Sequence, residues 1–329
     1  MSRIEYFAKR GLQTVVLWFI IIVFLFFFFR LMPGDYTAMM LHSGVSPETA
    51  AAFKEKWGLN NSIYVQLWDY LVNLSQLDFG NSLSEGVPVW SLVQKRLFNS
   101  IILIAPAITA GYIIGSIWGA VIGNLNRPKL EGYGITLAVF IGTLPIFYLG
   151  MLFIVVLGAN IEWLPTSGIF SPDMTYEYRN APWWRQYLTL DFAAHYVLPF
   201  SVITIAYSST PALLMRTSVD EVMGQGFAYY NRITGLPKWR RMAHLMRHAS
   251  LPVLTNYPLS MSRAVGGMVL IEYVFSWPGV GSLLVSSVFA RDFPVVQFIF
   301  ILVATFILIG NFLVDILYGI VDPRVSVGE

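Results

Sequence analysis

Cysteine is absent from all 329 residues, which excludes disulfides, thiolate-held metals and thiol nucleophiles. Charge is scarce as well: charged residues make up 12% of the chain and hydrophobic ones 56%. Soluble domains carry about a quarter charged residues, so the balance is that of an integral membrane protein. No G-x-x-x-x-G-K-[ST] occurs, so the chain has no phosphate-cradling loop of its own. His244 and His248 stand four apart on a predicted helix, but the intervening residues lack the glutamate of H-E-x-x-H. Two imidazoles fall short of the three or four protein ligands of a zinc site, and no metal is expected. Serine-rich YSST has no histidine or lysine nearby to act as a base, which argues against an intramembrane hydrolase. Paired acids at mid-membrane and an internal repeat are also missing, against a transporter driven by an ion gradient.

What the chain does have is long apolar runs. The first, Gly11 to Phe29, follows Arg3, Lys9 and Arg10 and spans roughly 28 Å as a helix. It ends in bulky FFFFRLMPGD rather than a small-residue cleavage site, so it reads as a retained helix and not a signal peptide. Further runs lie at about Ile101 to Ile122, Ile135 to Leu157, Tyr196 to Met215, Ala249 to Ile271 and Phe293 to Val314. The expectation is an all-α membrane protein of six transmembrane helices with both termini cytoplasmic. Pro106, Pro145, Pro199, Pro211 and Pro258 fall in or near these runs and predict packing kinks. On this topology the cytoplasmic segments hold 12 Lys and Arg against 6 acids, and the outer segments 8 against 12, as the positive-inside rule requires. Residues 1–32 form the first helix, 33–98 an outer insertion, 99–324 a five-helix core and 325–329 a short tail. Within the insertion, SPETAAAFKEKWGL predicts a short helix capped by Ser46 with Pro47 at its first position. Trp183 and Trp184 suit a membrane interface.

Between the fourth and fifth runs lies a basic loop, Arg216 to Pro252, with Arg216, Arg232, Lys238, Arg240, Arg241 and Arg247 against Asp220 and Glu221. Gly235 ends one short helical stretch and Pro237 opens a second, so the loop predicts a helix, a turn and another helix. A basic loop is also what orientation alone requires. Two ionisable residues fall inside apolar runs. Arg263 comes about 16 Å along a helix from Pro252, near mid-membrane, and either lines a path or pairs structurally. Asp315, near the cytoplasmic end of the last run, has the same two readings.

The 216–252 loop resembles the coupling loop of ABC-transporter permeases, in which Glu-Ala-Ala, a glycine and a later Leu-Pro recur. Gly235 and Leu251-Pro252 hold the last two places, while Tyr229, Tyr230 and Asn231 replace Glu-Ala-Ala. YNRITGL keeps Arg232, Gly235 and Leu236 of the peptide-permease form. RLMPGD, FSWPGVG, ARDFPVVQ and VDILYGIVDPR also resemble the dipeptide/oligopeptide branch, and the likeness covers residues 1–324 in order. The resemblance implies the type I importer fold, with the 33–98 insertion outside and a coupling helix between helices four and five. It implies a non-catalytic subunit of a prokaryotic inner membrane, forming a peptide pathway with a second, homologous permease. Two ATPase subunits would hold ATP and Mg²⁺, this chain would carry no cofactor, and an extracytoplasmic solute-binding protein would deliver cargo. Related systems carry nickel or oligosaccharides. Nucleic acid is not an expected partner; membrane lipid is. Glu221, Phe227, Tyr230, Arg232 and Gly235 are the expected ATPase-coupling residues, and Arg263 and Asp315 the pathway candidates.

Overall fold

The computed structural model describes residues 3–31, 46–48, 60–125, 127–177 and 182–321. The helix expected after Ser46 lies almost wholly outside the described residues, as does the 325–329 tail. Among the described residues the fold is all-helical, with one isolated bridge between Asn81 and Pro88. The helices are α1 (Arg3–Leu31), α2 (Ile63–Ser75), α3 (Val89–Gly123), α4 (Pro128–Thr143), α5 (Ile146–Phe153, extended by a π turn, Ile154–Asn160) and α6 (Pro172–Glu177). They continue with α7 (Leu190–Met223), α8 (Gly226–Ile233), α9 (Lys238–Ala249), α10 (Leu251–Val274), α11 (Val280–Phe289) and α12 (Phe293–Val321).

Glycines set the centre of the fold. Gly111, Gly115, Gly119 and Gly123 recur every fourth residue of α3 and face the carbonyls of Thr204, Ser208, Ala212 and Arg216 on α7. A Cβ on Gly111 would lie 2.7 Å from the Thr204 oxygen, and one on Gly115 or Gly119 would collide with the opposing backbone. Close backbone approach of this kind supplies the dispersion contacts that hold helices together in lipid, where apolar burial alone drives little association. Thr204 Oγ1 adds a hydrogen bond to the Ala107 carbonyl across the same seam, at 3.1 Å. Pro106 has no N–H to give the carbonyl of Ile102, one turn back. The Tyr196 hydroxyl donates to that oxygen instead, at 3.0 Å, so the kinked helix leaves it satisfied.

α1 lies outside this core against α12, held by Trp18 Nε1 donating to Thr305 Oγ1 at 2.7 Å. The rest of α1 turns Leu12, Val15, Phe19, Ile20, Phe24 and Phe28 outward, a continuous apolar surface that hydrocarbon solvates and water does not.

Among the described residues, four helices are long and apolar enough to cross a membrane: α1, α3, α7 and α12. The expected span Ile135 to Leu157 is interrupted: α4 and α5 meet at a bend of 97°. Pro145 cannot donate to a helical ladder, and it biases Leu144, whose ψ is 129°, toward extended backbone. The fifth expected run is a continuous helix of 24 residues, α10, but Asn256, Ser260, Arg263 and Glu272 keep it out of the apolar set. Helix α3 begins at Val89, within the 33–98 stretch.

Candidate functional site

Three polar places stand out on this helical frame. One is the helix-turn-helix after α7. α8 presents two faces: Ala228 and Asn231 are buried, and the Phe227 ring packs at a tilt against the His248 ring of α9, 4.3 Å between centroids. Tyr229, Tyr230 and Ile233 point outward, each more than half exposed. The turn depends on Gly235, whose φ is +70° with open space around it, so a glycine is required there for backbone conformation and not for close approach. Pro237 caps α9, whose Leu245 and Ala249 are buried while Trp239 is exposed with the Arg240 guanidinium 5.0 Å from its ring. Arg216 donates through both Nε and Nη2 to the single oxygen Oε1 of Glu131, tying the end of α7 to α4. Of the expected coupling residues, Tyr230 and Glu221 are thus exposed and Phe227 turns inward as an anchor. The Arg232 side chain lies outside the described residues.

At mid-membrane a strip of hydroxyl and amide groups joins α3 to α10. Tyr112 Oη lies 2.5 Å from Ser260 Oγ and accepts from Asn256 Nδ2 at 3.1 Å. Thr109 Oγ1 and Tyr257 Oη are 2.7 Å apart. Arg263, on the same side of α10, is exposed and forms no salt bridge among the described residues. Asp315, the other intramembrane candidate, is 3.7 Å from Arg10 Nε and links α12 to α1.

The junction of α10 and α11 carries a cluster that sequence reasoning passed over. Glu272, fully buried, accepts from Ser100 Oγ at 2.6 Å, Gly281 N at 2.7 Å and Ser282 N at 3.1 Å. It thereby satisfies the first N–H groups of α11, while Ser100 Oγ accepts from Val280 N at 2.8 Å. Trp277, also buried, donates to the Asn99 carbonyl at 2.9 Å, and Asn99 Nδ2 donates to the Pro278 carbonyl at 2.8 Å. Asp292 does the same for the insertion, accepting from Leu83 N, Ser84 N, Ser82 Oγ and Ser84 Oγ at 2.5 to 3.2 Å. Both carboxyl groups thus fix loops to the helical frame. The signal that pointed to Glu272 was its place at the very end of an apolar run, four residues before the SWPGVG turn.

Comparison with known proteins fits this arrangement. Residues 107–327 match the family described as binding-protein-dependent transport system inner membrane component, and residues 3–104 match its N-terminal counterpart. The chain belongs to this family. The permease is 33% identical to the oligopeptide transport system permease protein AppB of Bacillus subtilis over 324 residues, covering 98% of this chain and 99% of AppB. It is 31% identical to the di/tripeptide transport system permease protein DppB of Pseudomonas aeruginosa over 338 residues, 98% of each chain. The glutathione transport system permease protein GsiC of Escherichia coli K12 is 29% identical over 323 residues, 98% of this chain and 99% of GsiC. The permease is therefore an integral inner-membrane component of a binding-protein-dependent transport system.

Proposed function

We propose that this permease is one of two homologous membrane subunits of an ATP-driven importer of short peptides. The observation that carries the substrate class is the end-to-end similarity to relatives named for oligopeptides, di/tripeptides and glutathione, all of them peptides. These names favour peptide over nickel or oligosaccharide as cargo. A solute-binding protein delivers peptide to the outer face. Two cytoplasmic ATPase subunits hold ATP and Mg²⁺, and α8 of this chain sits in a surface groove of one of them. The exposed Tyr229, Tyr230 and Ile233 support this docking, because aromatic side chains on one helix face are the usual anchors of such an interface. Glu221, at the end of α7, and Arg232, in α8, are the further coupling residues we assign, and Gly235 shapes the turn after α8.

In the membrane, α1, α3, the bent α4–α5 pair, α7, α10 and α12 make six crossings, with both termini cytoplasmic. The basic 216–252 loop supports that orientation. Arg263 faces the passage between the two permease subunits, since lipid contact at that depth costs about 2.5 to 3.5 kcal/mol on the insertion scale. Asp315 serves the α1–α12 contact through Arg10.

The test is uptake into membrane vesicles holding the permease with its partner subunits and binding protein. Labelled di-, tri- and longer peptides should accumulate only with internal ATP. Accumulation of nickel or an oligosaccharide in place of peptide, or peptide entry indifferent to ATP, would overturn the assignment.

A further inference from the structure

α10 is divided lengthwise. On one side Met261, Val265, Met268 and Val269 close on a wholly apolar cavity of about 140 Å³ shared with α3, α11 and α12. On the other side, Asn256, Ser260, Arg263 and Gly267 recur at helical spacing, with Gly266 beside them. This second side is neither packed core nor a surface fit for lipid. Arg263 and Gly266 are exposed, and a Cβ on Gly266 would meet nothing within 4 Å. A Cβ on Gly267 would stand 3.9 Å from the Tyr207 hydroxyl, so α7 contributes to the same opening.

We propose that Arg263, with the hydroxyls of Tyr207, Tyr257 and Ser260 around it, is a station within the passage that takes the free C-terminal carboxylate of a peptide in transit. The inference deepens the peptide-importer reading and rests on it. Every unmodified linear peptide ends in a carboxylate, whatever its side chains, so one fixed cation can serve cargo of mixed sequence. A guanidinium presents paired N–H donors that match a carboxylate's two oxygens, and here it has no acid among the described residues to satisfy it first. The neighbouring hydroxyls are already oriented by bonds to one another: Tyr112 with Ser260, and Thr109 with Tyr257. They keep lone pairs and a donor for a peptide's backbone groups. A single cation on an otherwise neutral strip holds its ligand without trapping it, which a conducting site requires.

The absence of native cysteine makes the test direct. Gly266→Cys places the subunit's only thiol beside Arg263, in open space. In vesicles holding the complete transporter, the labelling rates of this thiol by anionic sulfonatoethyl methanethiosulfonate and cationic trimethylammonioethyl methanethiosulfonate are compared. Focused positive potential in a passage should favour the anion by about tenfold. The preference should vanish in an added Arg263→Gln background and persist with Arg263→Lys. A dipeptide with a free carboxylate should slow labelling more than its C-terminal amide. Each variant is compared at equal amounts of recovered complex. If wild-type vesicles take up peptide but the thiol is inert, labels equally with both reagents, or is protected equally by acid and amide, the station is overturned alone. If wild-type vesicles take up no peptide, the functional reading falls and the carboxylate assignment falls with it.

Discussion

Replacing Glu272 tests whether the junction of α10 and α11 is held by the hydrogen bonds around its carboxyl group. That group is fully buried and receives three donors, Ser100 Oγ, Gly281 N and Ser282 N. In Glu272→Ala the Ser100 hydroxyl can rotate toward another acceptor, but the two backbone N–H groups at the start of α11 cannot. A buried donor left unmet costs about 1 to 3 kcal/mol, so two cost about 2 to 6 kcal/mol. Glu272→Gln behaves differently. Its amide oxygen can take the place of Oε2 and keep both backbone donors, while its NH₂ donates to Ser100 Oγ, which still has a lone pair beside the one that accepts from Val280 N. The expected order of stability is wild type, then Gln within about 1 kcal/mol of it, and Ala well below. The assay is the fraction of detergent-solubilised subunit that remains monodisperse after heating, read as an apparent midpoint for each variant. Two outcomes refute the reasoning: an Ala midpoint indistinguishable from wild type, or a Gln midpoint as low as that of Ala. The second would mean that the negative charge itself, and not the hydrogen bonds, holds the cluster.

Gly115→Leu should prevent the close approach of α3 to α7, because its side chain must enter the space of the Ser208 carbonyl and the Pro211 ring; the check is loss of folded subunit on size exclusion, with Ile114→Leu on the exposed side unaffected. At Gly235, whose φ is +70°, Asn should be tolerated and Val should cost about 1 to 2 kcal/mol of turn stability, read as greater protease sensitivity of the 216–252 loop. Tyr230→Ala, on the exposed face of α8, should leave the subunit's heat stability unchanged yet lower recovery of the ATPase with the complex, whereas Phe227→Ala should lower stability, because its ring packs on His248. Single cysteines at Glu48, Asp173 and Lys238 should sort by side: an impermeant thiol reagent applied to intact cells should reach the first two and spare the third, and labelling of Lys238→Cys would reverse the assigned topology.

Parts of this site were legible residue by residue. Gly235 between two helical stretches allowed either a positive φ or a close backbone approach, and the structure has the first. Pro145 was visible as a kink, but nothing local distinguishes a gentle bend from the 97° break found. The repeat GYIIGSIWGAVIG in α3 was there to be read, since small residues every fourth position mark a helix interface in lipid. What such a repeat does not name is the partner helix. Phe227 and Tyr230 both looked like coupling anchors, and the structure separates them: three residues apart on a short helix, one points in and the other out.

By itself the sequence determined that the chain is helical, lives in a membrane and belongs among binding-protein-dependent permeases, because hydropathy, charge sidedness and motifs are sums over neighbouring residues. Tertiary structure alone decided how the helices face. A soluble helix advertises its inner face by being apolar on one side only. Helices such as α1 and α12 are apolar on the lipid side and the packing side alike, so their pattern carries little direction. The roles of Glu272 and Asp292 were beyond any local pattern for a second reason. Their partners Ser100 and Ser82 lie 172 and 210 residues away in the chain, and only the packed bundle brings those donors to the carboxyl oxygens.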